Sequence, residues 1–371
     1  MKLIPLASPT VDERDTQTVV EVLTSGRLAL GPKAVEFERL CAEYVGVEHA
    51  VAVNSGTAAL HVIVRALGIN RGDRVFVPSF TFIASANVLL YEGAVPIFVD
   101  IEPETYNVDP EDLEHKVALN DGVAIMTVDV FGHPVEWDEI LRIAEKHGLR
   151  IIDDSCEALG AEYRGRKLGR FGDAAAFAFY PNKQITTGEG GMVVTDDAEI
   201  ARLCRSMRNQ GRSDTGGWLE HACLGYNYRM DEMSAALGVS QLRRIEEILA
   251  RRDQVARWYT ERLRNLDWLE VPVTRPHVRR SWFVYVVKLA RGVDRERVMA
   301  HLAAHGIESR PYFPPVHLQP FYRKTFGYRG GELPVTEDIA RRTLALPFYN
   351  ALSEEQVAYV CEVLADAGQI V

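Results

Sequence analysis

Between Val51 and Val194 short apolar runs alternate with longer stretches of helical periodicity, and each pair is joined by a polar or glycine-bearing turn. Short, continuously apolar runs read as strands buried on both faces, and strands alternating with helices imply a largely parallel sheet. The candidate strands are 50–53, 74–77, 95–99, 123–129, 150–153, 174–179 and 191–195. From Ser234 to Leu263, Arg243, Arg244, Glu246, Glu247, Arg251, Arg252 and Asp253 alternate with apolar residues at helical spacing. That pattern predicts one long helix with a solvated face, leading out of the large domain. Beyond Pro276 the run Trp282 to Leu289 predicts another strand, and 295–305 and 354–367 predict helices. The expected division is a large domain over 1–240, a connecting helix over 241–260 and a small α+β domain over 261–371.

Composition narrows the class without naming it. The chain has 371 residues, 47% hydrophobic and 25% charged, which is enough apolar material for one large core and a smaller one. Disordered, collagen-like and disulfide-scaffold readings are excluded. The formal net charge of −10 opposes polyanions, so no nucleic-acid partner is expected and an anionic ligand needs a local pocket. The start of the chain is too acidic, at Asp12, Glu13 and Asp15, for a signal peptide, and no run approaches the length of a membrane span. Cys41, Cys156, Cys204, Cys223 and Cys361 lack any C-x-x-C spacing, which fits a reducing cytoplasm and no metal site.

Strand ends carry the candidate chemistry, because ligands of such sheets sit beyond the carboxyl ends of the strands. Ser55, Gly56 and Thr57 lie between a strand and an apolar-periodic helix, where backbone N–H groups cradle a phosphate or Ser55 simply caps the helix. Asp153, Asp154 and Glu157 follow an apolar strand, and carboxylates so close require a cation, a protonated heterocycle or a capping role. Lys183 follows a Pro turn and precedes a glycine-rich segment that leads into another strand. A lysine partly desolvated there offers an amine for Schiff-base chemistry, although most lysines are merely solvated. Phe82 is placed to stack on a flat ring while Phe80 packs elsewhere, and Asn227 and Arg229 precede a helix and could reach an anion. Phosphate cradle, carboxylate and amine together match the demands of pyridoxal phosphate.

In this order the motifs resemble the DegT/StrS-type sugar aminotransferases, pyridoxal 5'-phosphate enzymes of the α/β fold type I, which is aspartate-aminotransferase-like. The likeness runs from Ser25 to Pro32 through Ser55, Asp154, Lys183 with Thr187 to Gly191, and Gly225 to Met230, and ends at Arg310 to Leu318. The resemblance implies that Lys183 forms the Schiff base with the cofactor and that Asp154 pairs with its pyridinium nitrogen. It further implies that Ser55, Gly56 and Thr57 hold the phosphate, that Phe82 stacks on the ring and that Glu157 faces the phenolic oxygen. Asn227 would reach the cofactor of a neighbouring subunit, which makes a homodimer with shared sites, and Arg229, Arg310 and Tyr312 would contact substrate. The implied reaction moves an amino group from an amino acid, expected to be L-glutamate, to a keto group of a nucleotide-linked deoxysugar. A keto-cyclitol acceptor stays open, as does a lyase or desulfurase using Cys156; related sugar dehydrases carry histidine where Lys183 stands. The chain departs from the family pattern at Ala178, where a phosphate-binding serine is common, at Glu157 and at Asp129.

Overall fold

The computed structural model describes residues 3–213 and 217–368. Seven strands form the main sheet in the order His49–Val53, Gly191–Thr195, Ala174–Ala178, Arg150–Asp154, Ala124–Val128, Arg74–Pro78 and Val95–Val99. The last five run parallel to one another, and Gly191–Thr195 is antiparallel to both of its neighbours. Ala124–Val128 and Gly191–Thr195 are buried along their whole length, as continuously apolar runs require. Helices cover both faces. Gly56–Ala66 and Ala198–Arg208 pack with one apolar cluster, and Trp137–His147 with another that contains Phe76 and Ile151.

The expected single helix from Ser234 to Leu263 is two helices, Glu232–Leu242 and Ile245–Leu263. The break falls at Arg243 and Arg244, whose charges suit either a continuous solvated face or a junction. Arg244 is drawn inward by Asp15, a buried carboxylate on the helix Glu13–Ser25, and that ion pair fixes the junction. Along Ile245–Leu263 the packing changes partner. Ile248 and Leu249 join a cluster with the main sheet's Ala175 and Val194, while Val255, Ala256, Tyr259 and Leu263 join a cluster formed by the C-terminal residues.

That C-terminal cluster surrounds a three-stranded antiparallel sheet of Leu269–Glu270, Tyr285–Leu289 and Thr343–Leu346, with the helices Arg295–Ala304 and Glu354–Ala367. The strand predicted from Trp282 begins three residues later. Ser281 donates its N–H to the Gly132 carbonyl at 2.9 Å, so this approach to the strand pairs with a loop of the main sheet instead. A mixed aromatic cluster of Phe80, Tyr106, Phe131, Phe283 and Val286 cements the two sheets together.

Candidate active site

The carboxyl edge of the main sheet is where the candidate residues meet. Gly191 pairs with both Val53 and Ala178, so the antiparallel strand starts at the edge where its neighbours end. A cavity of about 490 Å³ opens there, lined by Ser55, Gly56, Thr57, Phe82, Asp154, Glu157, Ala178, Lys183 and Tyr312 among others.

One wall is the start of the helix Gly56–Ala66. Ser55 caps it by accepting the Ala58 N–H at 3.0 Å, so the capping reading of Ser55 holds in this chain. The cap leaves the first N–H groups, at Gly56 and Thr57, directed toward the cavity end of the helix dipole. A Cβ on Gly56 would lie 2.6 Å from the Ala178 Cβ, so glycine is required for this close approach. Ala178 itself lines the cavity and carries no hydroxyl for an anion.

A second wall is acidic. Asp154, 6% exposed, ends its strand and accepts from the Ser85 hydroxyl at 2.6 Å and from the Cys156 N–H at 3.2 Å. These two donors hold one carboxylate in place. Thr81 lies 3.0 Å from Ser85 and extends the chain of hydroxyls. Burial and the neighbouring Asp154 push the Cys156 thiol well above its ordinary range, so it stays protonated.

Lys183 enters between the walls from a turn closed by its own N–H on the Tyr180 carbonyl at 2.9 Å. Its Nζ lies 3.5 Å from Glu157 Oε1 and 3.9 Å from the centre of the Phe283 ring. Glu157 also accepts the Phe131 N–H at 2.9 Å, and burial raises its pKa even though Lys183 pulls the other way. Phe82 stands at the mouth, 61% exposed, while Phe80 is fully buried, as the sequence pattern suggests. Tyr312 closes the far side, and burial pushes its hydroxyl up to about 12.

Three expected residues lie elsewhere in this chain. Asn227 is exposed and its carbonyl receives Asn54 at 3.4 Å, outside the cavity. Arg229 lines a separate cavity of about 220 Å³ with Arg205 and Arg208, and is held by Asn209 at 3.0 Å and Gln210 at 2.7 Å. Arg310 is exposed and donates to the Ser309 carbonyl at 3.0 Å. Conversely, Ser85, Phe283 and Phe313 belong to the site without a sequence motif. Ser85 follows Phe82 by one helical turn, a spacing that could have marked it.

Away from this edge, His317, Glu332 and Glu337 bring ligand-type atoms within 4.8 Å of one another. Those atoms are already engaged: Glu332 and Glu337 accept the N–H groups of Gly330 and Gly331 at 2.7 Å, and His317 meets Glu337 through Nε2 at 3.2 Å and Ser79 through Nδ1 at 2.7 Å.

A buried carboxylate, a lysine and a helix start converging beyond a mainly parallel sheet define a fold-type-I pyridoxal-phosphate enzyme, and the residues present fit that cofactor. The chain belongs to the DegT/DnrJ/EryC1/StrS aminotransferase family, whose model matches residues 9–365. It is therefore a pyridoxal-phosphate-dependent transaminase. It is 41% identical to the GDP-perosamine synthase of Caulobacter vibrioides over 97% of each chain. Among solved structures, Helicobacter pylori PseC, an aminotransferase of pseudoaminic acid biosynthesis, superposes with a TM-score of 0.94 at 29% identity over 100% of each chain. Spr1654 of Streptococcus pneumoniae, solved in its PLP form, gives a TM-score of 0.94 at 28% identity over 99% of each chain.

Proposed function

We propose that this chain transfers the amino group of an amino acid, expected to be L-glutamate, to a keto group of a nucleotide-linked deoxysugar. The observation that carries the reading is the convergence of Lys183, Asp154 and the helix start at Gly56 in one cavity. The similarity to GDP-perosamine synthases, at 34–41% identity, favours a GDP-linked sugar as acceptor.

Each residue has a physical task. The N–H groups of Gly56 and Thr57 and the Thr57 hydroxyl bind the cofactor phosphate. Asp154, oriented by Ser85 and Cys156, holds a proton on the ring nitrogen. Phe82 covers one face of the ring. Bound in this way, pyridoxal phosphate supplies an electron sink for the bond broken at the substrate carbon. Lys183 Nζ would remove the proton from that carbon and return it to the carbon on the other side of the transferred nitrogen, as a general base and then acid. Glu157, 3.5 Å from Nζ, orients the amine. The protonated Cys156 thiol gives no support to a desulfurase reading, which needs a thiolate.

The exposed Asn227 and the half-open mouth at Phe82 suit a homodimer in which the partner completes each site. Among the described residues no helix is long and apolar enough to cross a membrane, and the five unpaired cysteines favour the cytoplasm.

The test is a visible-absorbance titration of the purified holoenzyme with glutamate, then with GDP- and dTDP-linked keto sugars and a keto-inositol. Glutamate should bleach the lysine-bound band and a nucleotide keto sugar should restore it. Lys183→Ala should lose the band and slow turnover by about 10²–10⁴-fold. Transamination at a normal rate by that variant would sink the assignment.

A further inference from the structure

Arg252 is 3% exposed, yet among the described residues no carboxylate comes within 4 Å of its guanidinium, and burial alone lowers its pKa to about 10. A cation buried without a counter-charge is costly, so its surroundings must offset the loss of water. Its guanidinium donates to the carbonyls of Asn182 at 3.1 Å and Lys183 at 3.0 Å, and to Asn350 Oδ1 at 3.3 Å. The face of Phe348 lies 5.4 Å away. Both carbonyls belong to the turn that presents the reactive lysine.

The placement of Arg252 is as specific as its contacts. It stands on Ile245–Leu263 between Leu249, which packs with the main sheet, and Val255, which packs with the C-terminal cluster. Its neighbour Arg251 donates to the carbonyls of Asn350 at 2.9 Å and Leu352 at 2.8 Å. On the far side of the turn Gln184 is anchored to the carbonyls of Glu157 at 2.6 Å and Ser281 at 3.1 Å. The Lys183 backbone is therefore held from two directions, and one of them is a charged clamp shared with the C-terminal unit.

We propose that Arg252 is a positioning residue for Lys183. It fixes the turn through the Asn182 and Lys183 carbonyls and ties the turn to the Phe348–Asn350 segment. The inference rests on Lys183 being the reactive amine. That amine must return to the same two carbon positions in every turnover, and small misplacements of a reacting group cost about 10²-fold in rate.

The experiment compares Arg252→Gln and Arg252→Lys with the unaltered chain. In the cofactor-free chain, hydrogen exchange of the segment 180–187 should speed up about tenfold in Arg252→Gln, with the helix 354–367 unchanged. In the holoenzyme the pH midpoint of the lysine-bound band should move, and kcat should fall about 10²-fold with KM for the keto sugar within about twofold. Arg252→Lys should fall between, because one ammonium cannot reach three acceptors with the fork geometry of guanidinium. Unchanged local exchange and an unmoved band midpoint, or a uniform rise in exchange over the whole chain, would overturn the proposal. Should Arg252→Gln fail to fold, Arg252→Met keeps the buried stem and removes every donor to the Asn182 and Lys183 carbonyls, and an unmoved band there overturns it equally. Failure of the Lys183 reading is separate: Lys183→Ala would then keep the visible band.

Discussion

At the scale of single residues, the site depends on side chains that hold other side chains. Ser85 gives Asp154 a 2.6 Å hydrogen bond that no motif announces. Removing a bond to a charged group in Ser85→Ala should weaken cofactor binding about tenfold, measured by fluorescence titration, while the fold persists. Behind Asp154, Asp129 and Asp153 are both fully buried and share the Ser155 hydroxyl, at 2.7 and 3.0 Å. Burial raises both, and the repulsion between them makes Asp129 the one that keeps its proton. A raised acid binds its proton more tightly in the folded chain, so its contribution is full below the ordinary carboxylate range and is lost as pH rises past it. The melting-temperature advantage of the unaltered chain over Asp129→Asn should therefore shrink from pH 5 to pH 8, a difference in which every other titrating group cancels. His133 acts on the other side: burial lowers it to about 3, so its contribution is complete above pH 6.5 and lost as pH falls.

At the scale of elements, the strand and helix pattern was legible because short apolar runs have few alternatives. Val95–Val99, Gly191–Thr195 and the helix Glu354–Ala367 sit where periodicity puts them. The break at Arg243 and Arg244 was not legible, since Asp15, the partner of Arg244, is 229 residues away. Two substitutions separate architecture from function at this scale. Ser353→Ala removes the hydroxyl that accepts the Gln356 N–H at 3.2 Å in a capping box, and should cost about 1 kcal/mol in urea melts with activity intact. Gly56→Ala forces a Cβ against Ala178 at the start of the helix proposed to face the cofactor phosphate. It should loosen the cofactor by at least about tenfold with only a modest change in melting temperature.

At the scale of the whole molecule, the net charge of −10 coexists with a local cluster of arginines, Arg205, Arg208 and Arg229, that lines one cavity, with Arg208 paired to Glu38. The proposed dimer is open to a complementation test. Lys183→Ala and Asn227→Ala chains, each weak alone, should recover up to about a quarter of full activity when refolded together, since half the mixed dimers are hybrids with one intact site. No recovery would place Asn227 outside the shared site.

The sequence by itself determined the cofactor chemistry and the edge at which it occurs, because residues next to strand ends are positioned by local geometry. Asp154, Lys183 and the helix start at Gly56, singled out in this way, line one cavity at that edge. Only the tertiary structure decided which distant groups surround them. Glu157 against Lys183, Phe283 beneath the amine and Arg252 behind the turn all arise from packing between segments far apart in the chain. Arg229 and Arg310 show the same division, since the motifs fix their places in the chain while packing sets one in a separate cavity and the other against the Ser309 carbonyl. Hydrophobic period is set by neighbours along the chain, whereas the partner of a buried charge is set by whichever element the core brings beside it.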